Sequence, residues 1–155
     1  MTEKTVKVSD FLNDKLIFLN QTFKNTDELF EKVAEVAKNS QMVTEAFLPK
    51  IKEREATFPT GLELEDRGVA IPHTDADTIK SEFVAVITNQ EGIPFKRMDD
   101  PNQDVSAKII FVLGLNQPHA QLEMLQALMG VIQDTSVLNQ IQNATSVDEI
   151  KELLK

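Results

Sequence analysis

Two histidines are the side chains of this sequence whose chemistry and position are most informative. His73 follows Pro72 at the end of the apolar run 68–71, and His119 follows Pro118 at the start of a periodic apolar segment. Proline fixes its own φ angle and has no N–H, so it ends a strand or begins a helix. Each imidazole is therefore expected at the boundary of a regular element.

His73 has four chemical interpretations from the sequence. An isolated imidazole commonly satisfies a local hydrogen bond and nothing more. His73, Asp75 and Asp77 fall at alternating positions and could ligate a metal, but metal sites need three or four ligands in fixed geometry. General acid–base catalysis lacks an accompanying paired carboxylate or serine signature. The fourth interpretation is nucleophilic: the ring attacks phosphorus and becomes a phosphohistidine.

A phosphohistidine site makes demands on its neighbours. The ring must be neutral, with one nitrogen free and the other bound to an acceptor that fixes the tautomer. Cations and N–H groups must stabilise the phosphoryl oxygens. Arg54 supplies a guanidinium, and His119 lies in the first turn of a predicted helix, where free N–H groups favour anions. Thr60 and Thr74 supply hydroxyls. The simpler alternatives are that Arg54 is an ordinary surface charge and that the two threonines are turn residues.

Composition excludes several function classes. The 155 residues predict a single domain, 1–155, and the absence of cysteine excludes disulfides and thiolate chemistry. The net charge of −9 disfavours nucleic acid and anionic lipid as partners. Apolar runs such as 109–113 are far shorter than the ~20 residues of a membrane span, and the amino terminus has no signal core. We therefore expect a cytoplasmic protein that does not insert into the membrane.

The apolar pattern predicts a mixed α/β protein. Strands are predicted at 15–23, 68–71, 82–88 and 105–115. Helices are predicted after Asn25 or Thr26, after Thr44, at 137–141 and after Ser146. A further helix is predicted from an apolar stripe of Leu122, Leu125, Leu128, Met129 and Ile132. Strand 82–88 is apolar on both faces, as in a central strand covered on both sides. Pro49 requires the second helix to start late or to kink. Residues 91–103 are predicted to be a loop with a short edge strand at 93–95, and the order of elements implies a sheet between helical layers.

Several motifs, in this order along the chain, resemble the enzyme IIA domains of the bacterial sugar phosphotransferase system. They are Arg54-Glu55, Pro59-Thr60-Gly61-Leu62, Gly68-Val69-Ala70-Ile71-Pro72-His73-Thr74, His119 with Leu122 and Leu125, and Thr145-Ser146-Val147-Asp148-Glu149-Ile150. The resemblance is to the fructose–mannitol class and extends from about the first helix to the carboxyl end. Stretches 59–62, 73–75 and 95–98 look most like the galactitol-type branch.

The resemblance implies a fold, an activity and partners. Members of this family are three-layer α/β/α sandwiches around a mixed sheet and need no metal or other cofactor. They accept a phosphoryl group from the carrier HPr and pass it to a cysteine of enzyme IIB, which serves the membrane enzyme IIC. By resemblance His73 is the phosphoryl acceptor, through Nε2, while His119 contacts the phosphate or the ring. Arg54 matches an active-site arginine, and Thr60 matches a threonine near the site.

A regulatory role is the alternative that the resemblance leaves open. Relatives of this fold include phosphorylation-dependent signalling proteins that bind other proteins and do not serve a transporter. The galactitol-like stretches 59–62 and 73–75 favour transport. A metal-dependent hydrolase would instead require tight binding of zinc or manganese.

Overall fold

The computed structural model describes residues 7–155, and within helix α3 it leaves out the side chains of Pro118 and Ala120. The polar amino-terminal segment and the predicted start of the domain at residue 1 lie outside the described residues. The strands are β1 (Leu12–Phe18), β2 (Gly61–Glu63), β3 (Gly68–Ala70), β4 (Phe83–Lys96) and β5 (Asp104–Gly114). The α-helices are α1 (Thr26–Asn39), α2 (Phe47–Thr57), α3 (Pro118–Ile132), α4 (Thr135–Asn143) and α5 (Val147–Leu153).

The described strands form one mixed sheet in the order β1-β4-β5-β3-β2. β1 pairs with β4 and β3 pairs with β5 in parallel, whereas β4–β5 and β2–β3 are antiparallel. Helices α1 and α2 cover one face of this sheet, and α3, α4 and α5 cover the other. The predicted three-layer α/β/α sandwich is therefore confirmed.

Strand β4 shows why both layers are needed. Phe83, Ala85 and Ile87 pack into the core beneath α1 and α2, and Val84 and Val86 pack into the core beneath α3, α4 and α5. Successive side chains on a strand point to opposite faces, so a strand that is apolar throughout must be covered twice. The predicted central position of this strand is confirmed.

Helices α1 and α5 begin at capping side chains where the sequence predicts helix starts, whereas α2 begins without a side-chain cap rather than at Thr44. The side chain of Asn25 accepts a hydrogen bond from the N–H of Glu28 at 2.9 Å, and that of Ser146 accepts one from Glu149 at 3.2 Å. These side chains satisfy backbone donors that the first turn of a helix leaves without partners. Helix α2 begins late, at Phe47, so Pro49 lies in its first turn, where its missing N–H does no damage.

The predicted loop over 91–103 is shorter in the structure, since it begins only after Lys96, and the strand predicted within it at 93–95 is present as part of β4. β4 continues to Lys96 across a bulge, and Ile93 and Phe95 pair with Ala107 and Val105 of β5. β1 pairs with β4 only between Val84 and Ile87, so β5 is the strand neighbour of 93–95 on one side, as in an edge segment. Asn89 stabilises the bulge because its side chain accepts the N–H of Gly92, whose φ of 89° is readily adopted only by glycine. A glycine within a strand pattern can mark a bulge as well as a loop.

Two other expectations need correction. The three-residue strand β2, which pairs with β3, lies in a segment for which the apolar pattern predicts no strand. The buried face of α3 is formed by Met124, Leu128 and Ile132, while Leu122 is 57% exposed and Met129 38% exposed. The predicted apolar stripe is thus rotated, because α3 is apolar on more than one face and the pattern cannot select which face the sheet covers.

Gly68 allows β3 to approach β5 closely. A Cβ atom built at this position would overlap the backbone carbonyl oxygen of Ser106 and the side chain of Val105. Gly68 is buried and lies opposite Ala107 in the parallel ladder. The position of β3, and of the residues that follow it, therefore depends on the absence of a side chain here.

Gly68→Ala is expected to lower the free energy of unfolding by about 1–3 kcal/mol, because a backbone carbonyl cannot rotate away from the added methyl group. Gly130→Ala is the matched control: its Cβ meets nothing within 4 Å in α3. We expect it to stabilise the protein by about 0.5–1 kcal/mol, through helix propensity. Urea unfolding of both variants measures the difference, and wild-type stability of Gly68→Ala would refute the close approach.

Candidate active site

His73 lies just beyond the carboxyl end of β3, where the chain continues to pair with β5. Leu113 donates its N–H to the carbonyl oxygen of Pro72 at 2.9 Å, and His73 forms an isolated parallel bridge with Leu113. The half-buried ring places Nδ1 3.0 Å from the carbonyl oxygen of Ile71. A carbonyl oxygen can only accept, so Nδ1 carries the hydrogen and the lone pair of the neutral ring is on Nε2.

The sheet topology brings His119 to the same edge as His73. β3 and β5 are parallel, β5 ends at Gly114, and α3 begins at Pro118. The connection is anchored because Asn116 donates from Nδ2 to the carbonyl oxygen of Ile79 at 3.3 Å. The segment that follows His73 is thereby tied to the segment that leads into α3.

The side chain of His119 is 84% exposed and its Nε2 lies 2.7 Å from Oε1 of Glu123, one helical turn away. This contact orients the ring on the surface of α3. Of the two ring nitrogens, Nδ1 is the one that Glu123 does not engage. Glu123 was not among the predicted site residues, although its i,i+4 spacing from His119 is a signal that could have identified it.

Arg54 lies on α2, where it lines a cavity of about 310 Å³ together with Thr74 and Asp75. Its guanidinium lies 5.2 Å from the centre of the Phe58 ring, and its Nη1 lies 3.9 Å from Oδ1 of Asp75. Thr74 and Asp75 directly follow His73 in the chain. His73 does not line this cavity, so the structure relates it to Arg54 through Thr74 and Asp75, its neighbours in the chain.

The two predicted threonines occupy different environments. Thr74 is buried and lines the cavity beside Arg54. Thr60 is also buried, but its N–H and its hydroxyl both donate to the carboxylate of Glu55, each at 2.7 Å. Its carbonyl oxygen accepts the N–H of Ile71 at 3.4 Å. The hydroxyl of Thr60 is thus committed to Glu55, and its backbone supports the strand that leads to His73.

Glu55 is the buried acid of the site. Glu55 is only 7% exposed, and this burial raises the pKa of its side chain from 4.5 to about 7. The two hydrogen bonds from Thr60 oppose this shift because they stabilise the carboxylate, but desolvation is the larger effect. The sequence gives no signal for this burial, since Glu55 lies in the charged run 52–55.

The alternating carboxylates Asp75 and Asp77 face a lysine. Nζ of Lys50 lies 3.4 Å from Oδ2 of Asp75 and 3.5 Å from Oδ1 of Asp77. The charge of Asp77 and hydrogen bonding to Asp75 raise the pKa of Lys50. Within residues 7–155, no cluster of three or more histidine, cysteine or carboxylate side chains is arranged to hold a metal ion.

Comparison with a family model identifies the family of this chain. Residues 10–155 match the family described as phosphoenolpyruvate-dependent sugar phosphotransferase system, EIIA 2. The chain belongs to the EIIA 2 family. The resemblance inferred from the sequence motifs is confirmed at this level. Among the described residues, the helices of this EIIA 2 chain fall short of the length and apolarity that a bilayer span requires.

Relatives and solved structures agree with the family assignment. The galactitol-specific EIIA component of Escherichia coli K12 is 35% identical over 85 residues, which cover 55% of this chain and 56% of that protein. The matched segment thus spans little more than half of that relative's length. The mannitol enzyme IIA of Escherichia coli, in its complex with phosphorylated enzyme IIB, superimposes with a TM-score of 0.75 at 24% identity, covering 92% and 96% of the two chains.

A regulatory protein has the same fold. The nitrogen regulatory protein IIA-Ntr of Neisseria meningitidis superimposes with a TM-score of 0.78 at 24% identity, covering 96% of this chain and 99% of that one. Likeness at this identity establishes the shared fold alone. The architecture is therefore shared with a mannitol enzyme IIA and with a nitrogen regulatory protein.

Glu55→Gln is expected to change the pH dependence of stability. A carboxyl whose folded pKa is raised stabilises the protein below its unfolded pKa of 4.5, and that contribution is lost as pH rises through about 7. The full pKa shift from 4.5 to about 7 corresponds to about 3 kcal/mol in the free energy of unfolding. We expect Glu55→Gln to match the wild type near pH 4.5 and to exceed it by about 1–3 kcal/mol at pH 8.

Denaturant unfolding across this pH range measures the effect. Glu53→Gln is the control, because Glu53 is an exposed residue of the same helix. The interpretation is refuted if wild type and Glu55→Gln lose stability equally between pH 5 and pH 8.

Proposed function

We propose that this chain is the phosphoryl-carrier component of a sugar or polyol phosphotransferase system. In this proposal His73 accepts a phosphoryl group from phosphorylated HPr and passes it to the cysteine of an enzyme IIB. The observation that carries the proposal is the contact of His73 Nδ1 with the carbonyl oxygen of Ile71, 3.0 Å away. This contact leaves the Nε2 lone pair as the nucleophile, on a half-buried ring at the edge of the sheet.

The transfer follows from the tautomer. Nε2 attacks phosphorus, and the P–N bond to the HPr imidazole breaks as the new P–N bond forms. The ring of His73 gains positive character, which the hydrogen bond from Nδ1–H to Ile71 stabilises. Onward transfer reverses these roles: a cysteine thiolate attacks phosphorus, and Nε2 leaves with its lone pair. The relay needs no metal or cofactor, because the phosphoryl group travels on the imidazole nitrogen.

Arg54 and Thr74 are proposed to stabilise the phosphoryl oxygens. Phosphoryl transfer has a loose transition state, so catalysis depends on positioning and on charge around the equatorial oxygens. A planar guanidinium with several donors suits that geometry better than a point charge. The chain carries a net charge of −9, so a local cation is needed to attract a dianion against the field of the whole protein.

His119 is proposed to contact the phosphorylated group from the first turn of α3. The backbone N–H groups of that turn have no partners within the helix, and the helix dipole favours an anion there. The contact with Glu123 orients the His119 ring and leaves Nδ1 for other partners. Thr60 is proposed to act indirectly, by holding Glu55 and the backbone that leads to His73.

The outer face of α3 is proposed to be a docking surface for HPr and enzyme IIB. His119, Leu122 and Met129 are all exposed and lie on one face of the helix, at spacings of three and seven residues. Exposed large apolar side chains beside a reactive group are typical of protein interaction sites. Phe58, beneath Arg54, adds a third exposed apolar side chain, with 62% exposure. In this proposal the chain has no direct contact with the membrane enzyme IIC and serves it through enzyme IIB.

Transport is favoured over regulation by the sequence relationships. The galactitol-specific relative is 35% identical, whereas the regulatory neighbour is 24% identical and indicates the fold alone. The two roles differ in what happens after phosphorylation. A transport component transfers its phosphoryl group to a cysteine of IIB, and a regulatory component binds another protein in a phosphorylation-dependent manner without such transfer.

His73→Ala is expected to abolish phosphoryl acceptance, because Nε2 is the proposed nucleophile. His119→Ala is expected to retain some acceptance and to slow transfer to IIB, because it removes a contact to the phosphoryl group rather than the acceptor. Incubation with phosphorylated HPr, followed by measurement of acid-labile label, separates the two variants. Normal labelling of His73→Ala would contradict the assignment.

Leu122→Ser tests the docking surface. The side chain is 57% exposed, so its replacement is expected to leave thermal stability unchanged. We expect the second-order rate constant for phosphoryl transfer from phosphorylated HPr, or to IIB, to fall about threefold to tenfold through loss of apolar contact. Rates identical to wild type with both partners would exclude this face of α3 as their binding site.

A further inference from the structure

Asp75 occupies a position between two cations of α2. Its Oδ1 lies 3.9 Å from Nη1 of Arg54, and its Oδ2 lies 3.4 Å from Nζ of Lys50. Lys50 and Arg54 are one helical turn apart, and all three side chains line the same cavity of about 310 Å³. One carboxylate thus pairs both with Arg54, the cation of the proposed mechanism, and with Lys50, a second cation beside it.

The backbone fixes Asp75 at this place. Its carbonyl oxygen accepts the N–H of Thr78 at 3.1 Å and the hydroxyl of Thr78 at 2.7 Å. These bonds close the short 3-10 helix Ala76–Thr78, in which Thr78 is buried. The backbone of Asp75, two residues after His73, is therefore held in place by hydrogen bonds, and this restricts where its carboxylate can lie.

We propose that Asp75 is a built-in competitor of the phosphoryl group for Arg54 and Lys50, and that this competition keeps the phosphohistidine easy to discharge. The inference rests on the proposed function of His73. In the unphosphorylated protein the two cations pair with Asp75. When His73 carries the phosphoryl group, its oxygens and the carboxylate compete for the same two cations.

The physical consequence concerns equilibrium rather than speed. A relay protein must hold the phosphoryl group at a potential close to those of its donor and its acceptor, since a site that binds it too tightly would trap it. A fixed carboxylate weakens the net attraction of Arg54 and Lys50 for the phosphoryl dianion. Asp75 is in this sense a positioning residue, which acts on the phosphoryl group through the two cations.

Asp75→Asn tests the inference, because asparagine keeps the shape of the side chain and removes its charge. Purified wild-type and variant proteins are equilibrated with phosphorylated HPr, and the acid-labile label on each protein is measured after separation. We expect the equilibrium constant to shift about threefold to tenfold toward the phosphorylated form of Asp75→Asn, a modest change because the pairs are partly exposed to solvent. Damage to the fold alone would not increase the phosphorylated fraction.

Asp77→Asn is the matched control. Asp77 also pairs with Lys50, at 3.5 Å, and is two residues further along the chain, but among the described pairs it has no contact with Arg54. We expect its equilibrium constant to stay within about twofold of the wild type. Asp75→Glu, which restores the charge, is expected to return the constant toward the wild-type value.

The outcomes separate this inference from the proposed function. An equilibrium constant for Asp75→Asn equal to that of the wild type would overturn the competition while leaving the carrier function intact. An equal shift of the equilibrium constant in Asp77→Asn would also overturn it, because the shift would then come from the loss of any nearby negative charge and not from the contact of Asp75 with Arg54. Failure of the wild-type protein itself to accept label would overturn the carrier function and the inference together.

Discussion

The parallel pairing of β3 with β5 is the contact on which the geometry of the site depends. Gly68 permits the close approach of the two strands, and the bond from Leu113 N–H to the Pro72 carbonyl extends the pairing past the end of β3. The ring of His73 then meets the carbonyl oxygen of Ile71. Because parallel strands end at the same edge, α3 begins beside the histidine that follows β3.

Charge is the second constraint on this protein. A chain with a net charge of −9 attracts a phosphoryl group only where cations are concentrated, and α2 supplies Arg54 and Lys50 one turn apart. The same helix turns Glu55 inward, where Thr60 satisfies both oxygens of the carboxylate. One short helix thus presents cations to the cavity and buries an acid that supports the backbone behind His73.

The sequence predicted the parts of the fold that local chemistry controls. The sequence leaves Asn25 and Thr26 as alternative starts of α1 and indicates Ser146 for α5, and the structure uses Asn25 and Ser146, whose short polar side chains satisfy free N–H groups. The two-sided apolar character of β4 predicted a covered central strand. The continuation of β4 to Lys96 escaped prediction, because Gly92 marks a bulge whose pairing with β5 depends on a distant partner. The exposed face of α3 was not predicted for a similar reason, since packing against the sheet decides which of its apolar side chains are buried.

For the site, the sequence by itself determined the residue types: two imidazoles, a guanidinium and threonines at the ends of regular elements, in a family-like order. Tertiary structure decided their states. It set Asp75 between Lys50 and Arg54 of α2, and it buried Thr60 and Glu55. The contacts of His73 with Ile71, of His119 with Glu123 and of Thr60 with Glu55 join residues two to five positions apart, and their geometry follows from the local backbone conformation. The ion pairs of Asp75 and the burial of Thr60 and Glu55 instead depend on the distance and direction between side chains, and on their exposure to water, which residue order alone does not specify.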